Sequence, residues 1–196
     1  MKGLYLDIST EVMYVGYAVG GILVDSMVRI SSHDHAAYVI DQIDQLLSKH
    51  HVTLDDIQYI VVGSGPGSYT GIRIAVTTAK TLAYAKKITL YQVSSLVFMT
   101  SGYQGKRLAS KDARRGYVFY TVYDHKHVYV HDQYQLLSEA IQGHEDSIHI
   151  PITKDSFNVD IKVIDFHRQL VIDIFSFEPN YTRITEAEEH AHKTRN

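Results

Sequence analysis

There is no cysteine among the 196 residues, which excludes disulfides, thiolate metal sites and cysteine nucleophiles. No run approaches the roughly 18 consecutive apolar residues that a membrane span needs. The opening stretch MKGLYLDIST meets Asp7 early and lacks the unbroken apolar core of a signal peptide. A basic excess is missing too. Formal net charge is −3, and Lys106, Arg107, Lys111, Arg114 and Arg115 make the one dense basic stretch. That balance argues against autonomous nucleic-acid binding. No long linker, low-complexity segment or internal repeat interrupts the chain. Together these absences predict a soluble, cytoplasmic protein.

What is there is ordinary for a globular domain: 45% hydrophobic and 21% charged residues. The length suits one large domain or two small ones with a real core. Twelve histidines and fifteen tyrosines are many for this length. They read as strand and surface composition rather than as one shared function.

The first hundred residues have a legible order. GLYLDIS alternates as a strand does, and VMYVGYAV and GGILVDSMVRI form two further strands around the Gly20–Gly21 pair. HAAYVIDQIDQLLSKHH places Ala36, Ile40, Ile43 and Leu47 at helical spacing, with Asp34 as the expected N-cap. A buried strand over residues 57–62, a Gly-rich turn, a helix over 70–85 and a strand over 88–93 follow. The order βββαβαβ matches the ribonuclease-H-like half of actin, sugar kinases and heat-shock ATPases, although fold does not fix function. Beyond residue 100 the runs are short. Two or three strands turn at Arg115–Gly116, LSEAIQ reads as a short helix or turn, and SIHIPI and IKVID read as strands. HRQLVIDIFSF fits helix and strand equally. EAEEHAHKTRN is a polar, helix-permissive tail.

The stretch VVGSGPGSYTGIRIAVTTAKTLAYA raises a phosphate loop as a candidate. It satisfies neither nucleotide motif. A Walker loop needs Lys after its last glycine, and Ile72 follows Gly71. The G-x-G-x-x-G fingerprint from Gly65 and Gly67 meets Thr70 in its third place, and from Gly63 it meets Ser68. An anion cradle of Gly65, Gly67, Ser68, Thr70 and Gly71 at a helix N-terminus stays open. So does a plain tight corner, with Ser68 or Thr70 as cap. In the helix that follows, Ala75, Ala79 and Ala83 stand at i, i+4, i+8, with Ile72 and Val76 beside them. A row of small residues lets another helix approach closely. That helix is either this chain's own first helix or a partner's.

GPGSYTGIRIAVTTAKTLAYA followed by VSSL closely resembles the bacterial TsaB family. LYLDIST resembles its first strand, DARRGYVFYTVY (Asp112–Tyr123) its DARRGEVYYALY-type segment, and PNYTR followed by EAE its C-terminal P-x-Y-x-R element. The resemblance runs in family order over nearly the whole chain.

It implies an α/β, actin-like, ribonuclease-H-like (ASKHA) two-lobe fold, each lobe a mixed sheet flanked by helices. The expected lobes are residues 1–100 and a smaller 101–196, with the last helix packing back on the first lobe. It implies a non-catalytic subunit in threonylcarbamoyladenosine formation next to the anticodon of ANN-decoding tRNAs. The implied partners are a TsaD-like catalytic subunit and a TsaE-like ATPase, with tRNA reached indirectly through the complex. The partners use ATP and a divalent metal; no cofactor or metal is expected here. The expected partner-binding residues are Ala36, Ile40, Ile43, Leu47, Ile72, Ala75, Val76, Ala79 and Ala83, and a homodimer through that surface is expected when the partner is absent. Asp7 resembles a remnant of an ancestral metal or phosphate position, capping a turn.

Some features depart from the family pattern. The chain is short between about Leu136 and Pro179, Tyr69 replaces a usual Phe, and Ile8 a usual Thr. His33–His35 and His125–His127 lack metal-ligand spacing on a helix. The contrasting hypothesis is a stand-alone nucleotide-dependent enzyme or metallopeptidase of the same superfamily, using Asp7, Asp112 and the Gly65–Gly71 loop.

Overall fold

Leu4 and Leu6 point to one side of the first strand and Tyr5 to the other, and this alternation separates the two main cores. The computed structural model describes residues 1–31 and 34–182. Strands β1 (Lys2–Asp7), β2 (Val12–Val19) and β3 (Ile22–Ile30) form an antiparallel meander. Its tight turn uses Gly20 (φ 61°) and Gly21 (φ 77°), a left-handed pair that glycine adopts without strain.

Helix α1 (His35–Lys49) leads to β4 (Tyr59–Gly63), and α2 (Tyr69–Lys86) leads to β5 (Thr89–Val93). Both strands lie parallel to β1, as consecutive β-branched residues in β4 suggested. Helices α1 and α2 cover the Leu4–Leu6 face, and α3 (Ser95–Thr100) packs on the Tyr5 face.

A second sheet holds β6 (Arg107–Asp112), β7 (Tyr117–Tyr123), β8 (Val128–Leu136) and, after α4 (Leu137–Gln142), β9 (Ile148–Pro151), in the order β8-β7-β6-β9. After α5 (Ile161–His167) the chain returns to the first sheet as β10 (Gln169–Leu170), completing the order β10-β5-β4-β1-β2-β3. It then crosses α2, where Lys80 Nζ donates to the carbonyls of Phe177 (2.6 Å) and Phe175 (3.2 Å).

Three expectations are corrected. IKVID is the start of α5, not a strand: Asp160 accepts the Lys162 N–H at 2.9 Å as N-cap, and Ile161 and Ile164 are buried one turn apart. HRQLVIDIFSF contributes only the last residue of α5 and the two residues of β10 as regular structure. Asp34 does stand at the N-cap position of α1, but its side chain makes no cap bond, because its carboxylate is held by the Arg29 guanidinium (2.6 Å) and the Ser31 hydroxyl. The tail from Arg183 onward and His33 lie outside the described residues. Among the described residues no helix is long and apolar enough to cross a membrane.

Candidate functional site

The Gly-rich loop is packed on its own neighbours. A Cβ on Gly65 would stand 2.4 Å from the Asn180 carbonyl, one on Gly67 2.4 Å from the Ser9 carbonyl, and one on Gly71 1.9 Å from the Ile8 carbonyl. Each glycine lets backbone approach backbone. Most of the loop's recorded donors point inward too. Gly65 N–H goes to Ser95 Oγ (3.0 Å), Ser68 N–H to the Ser9 carbonyl (2.7 Å) and Gly71 N–H to Ser68 Oγ (3.3 Å). Ser68 is thereby the N-cap of α2. Ser68 and Thr70 themselves are exposed. They border a cleft of about 520 Å³ with Thr10, Arg114 and the Lys111–Glu11 ion pair (3.2 Å).

Asp7 does not line that cleft. It is wholly buried, and Oδ1 accepts the Ser9 N–H (2.8 Å) and hydroxyl (2.7 Å), so it caps the turn after β1. Its Oδ2 fills the space that Gly63 leaves open, on the side of the Ser95 hydroxyl. Burial pushes its pKa up to about 6, against the pull of the Ser95 and Ser9 hydroxyls. Asp112, its supposed companion in a nucleotide site, is exposed at the end of β6 and borders the cleft. The two carboxylates therefore do not share one solvent-facing site.

The structure separates the nine expected interface residues into two groups. Ala75, Ala79 and Ala83 are 0% exposed, and Ile72, Val76, Ile43 and Leu47 no more than 2%. These seven are core. The alanine row seats α2 against this chain's own sheet and α1, so it offers no free groove. Ala36 and Ile40 are exposed, Ile40 to 54%.

They border a depression of about 470 Å³ between α1 and α2, whose other wall carries Tyr69, Arg73, Ile74 and Thr77. These α2 residues were missed by sequence reasoning. Their signal was Ile74, an apolar side chain on the helix face that also presents Thr70, Arg73 and Thr77.

Among the described residues no three of His, Asp or Glu are grouped to hold a metal ion. His35 is buried at the start of α1, and burial lowers its pKa. His127 is exposed near Asp124 (3.7 Å).

A family model described as TsaD: tRNA N6-adenosine threonylcarbamoyltransferase matches residues 20–185. The chain is 26% identical to the tRNA threonylcarbamoyladenosine biosynthesis protein TsaB of Bacillus subtilis, over 96% of each chain. It is 30% identical to the protein of the same name from Escherichia coli, over 63% of this chain and 55% of that one. A solved Pseudomonas aeruginosa protein, described as uncharacterized with similarity to peptidase YeaZ, matches with a TM-score of 0.76 at 19% identity. That match covers 93% of this chain and 99% of the other, and it shows a common mixed α/β fold.

Proposed function

Because the chain belongs to the TsaB family and matches the TsaD model over residues 20–185, we propose that it is a non-catalytic subunit in tRNA threonylcarbamoyladenosine formation. Its task in this reading is to bind and activate a TsaD-like catalytic subunit. The observation that carries the reading is the depression between α1 and α2, with Ile40 and Ala36 exposed along one wall and Ile74 in the other. Apolar side chains left partly or fully exposed between two helices suit a partner's helices. The two sheets then correspond to the lobes of an actin-like fold, the second one reduced. A buried Asp7 and a loop without lysine favour a scaffold over an ATPase. A TsaE-like ATPase joins the pair, tRNA is reached through the complex, and the partners supply ATP and metal chemistry in the cytoplasm. Without its partner the same face closes in a homodimer.

Co-purification tests this. Ile40→Glu should abolish capture of a co-expressed TsaD-like subunit while the melting temperature of the isolated chain changes little. Undiminished capture by the variant would move the interface elsewhere. ATP turnover by the isolated native chain would favour the enzyme hypothesis instead.

A further inference from the structure

A separate cavity of about 350 Å³ lies where Ser64 and Ser94, just beyond the carboxyl ends of β4 and β5, face Thr121 of β7 and Asp132 of β8. Open α/β sheets hold ligands at the carboxyl ends of their parallel strands. The hydrogen bonds around this cavity determine what it can hold.

A hydroxyl has one hydrogen to give. Ser94 gives its hydrogen to Asp132 Oδ1 (2.7 Å), Thr121 to the Val130 carbonyl (2.7 Å) and Ser64 to the Val93 carbonyl (3.3 Å). All three therefore present lone pairs. His167 Nε2 lies 3.0 Å from the Asp124 carbonyl, which can only accept, so that nitrogen carries the proton. Burial lowers the pKa of this ring and keeps it neutral, leaving Nδ1 as an acceptor.

Asp132 accepts from Ser94 and from Asn180 Nδ2 (3.0 Å) and has lone pairs to spare. Burial raises its pKa to about 6, against the pull of Ser94, His131 and Asn180, so it is mostly ionised at neutral pH. Among the described residues no lysine or arginine lines the cavity; His131 and His167 are its imidazoles, and Gln92 and Gln169 carry amides of both polarities. Val93, Val97 and Val128 supply an apolar wall.

The cavity thus offers several acceptors, one half-buried negative charge with no lysine or arginine beside it among the described residues, and a hydrocarbon surface. A carboxylate or phosphate would meet like charge and few donors. A bare metal ion would leave most of the volume empty. We propose that this cavity binds an alkylammonium group, whose N–H donors meet Asp132 and the surrounding lone pairs while its methylenes lie along Val93, Val97 and Val128. The proposal does not depend on the partner role of the α1–α2 face, which these residues do not line.

Calorimetry on the full chain at about pH 7.5 tests it, with n-butylammonium as a free amine and an Nα-acetylated lysine amide as a protein side chain. n-Butanol and butyrate serve as neutral and anionic isosteres. Saturable uptake of either ammonium supports the site, and the tighter of the two identifies the source. Asp132→Asn should weaken binding about tenfold or more, the equivalent of one charged contact. Val128→Phe should block it with Asp132 intact, and it decides the matter if the Asn variant does not fold. No saturable ammonium binding by the native chain, equal binding of butyrate, or full binding by both folded variants would overturn the proposal.

Discussion

The ring of Tyr181 lies over that of Tyr69, with centroids 4.9 Å apart and planes 27° from parallel. Tyr69 opens α2 and also accepts a hydrogen bond from Arg73 Nη1 (3.2 Å). One residue before Tyr181, the Asn180 N–H donates to the Ser64 carbonyl at 2.7 Å. The returning segment therefore braces the loop that starts α2, and with it one wall of the candidate partner face.

Tyr181→Ala should loosen that brace. A stacked aromatic pair contributes about 1 kcal/mol beyond area burial. The expected result is a small loss of stability with faster amide exchange at Tyr69–Arg73, while Tyr181→Phe behaves as the native chain. Unchanged exchange in the alanine variant would mean the stacking does not support the helix start.

Ala79→Leu should destabilise the isolated chain by about 1–3 kcal/mol, because the added methylenes enter a packed core. This is the opposite of the Ile40→Glu pattern, where fold is kept and capture is lost. Denaturant unfolding of both variants separates core from surface. A native-like midpoint for Ala79→Leu would show that the alanine row is not tightly packed.

Gly63→Ala should cost about 3 kcal/mol, since its Cβ would lie 1.8 Å from Asp7 Oδ2 and 2.8 Å from Ser95 Oγ. Asp7→Ala in the same chain should recover part of the loss. A double-mutant cycle with a coupling of about 1 kcal/mol or more would report the contact; strict additivity would deny it.

Asp7 also sets a pH dependence. Folded, it holds its proton up to about pH 6; unfolded, it releases it near the ordinary value of 3.8. Between those limits the folded chain binds more protons, so this group's contribution to stability falls as pH rises through the window. Asp7→Asn, which cannot ionise, should therefore be more stable than the native chain by about 3 kcal/mol at about pH 7.5. The advantage should vanish near about pH 4. Asp132 is raised in the same direction, so the two chains must be compared at each pH rather than from the native curve alone. An advantage that grows on acidification would contradict a buried, ionised Asp7.

The first sheet was readable because its signals are local: alternation in β1 and β2, a Gly–Gly turn, and helical spacing in α1 and α2. IKVID misled because Ile161 and Val163 flank Lys162 as they would in a strand; the Asp160 cap is a local signal that was passed over, while the packing of Ile164 depends on neighbours distant in sequence. The interface reading named residues on the two helices now proposed to form it, and seven of those nine residues are buried in this chain's own core. Small residues in a row announce a close approach, but not to what. Only the packing of α2 on β4 and its neighbours β1 and β5 turns Ala75, Ala79 and Ala83 inward and leaves Arg73, Ile74 and Thr77 at the groove. The Asp132 cavity was not legible: Asn180 stood out only as part of PNYTR, and the pairing of Asp132 with Ser94 and Asn180 joins residues 38 and 48 positions apart.

β10 gives two residues to a sheet whose other strands all come from the first half of the chain. On the ribosome, the outer edge of β5 is therefore made long before the strand that covers it. At roughly 5–20 residues per second, it waits several seconds while α3 through α5 are synthesised. An uncovered strand edge is a template for pairing with other chains. The late strand thus ends a period of vulnerability that every newly made copy passes through.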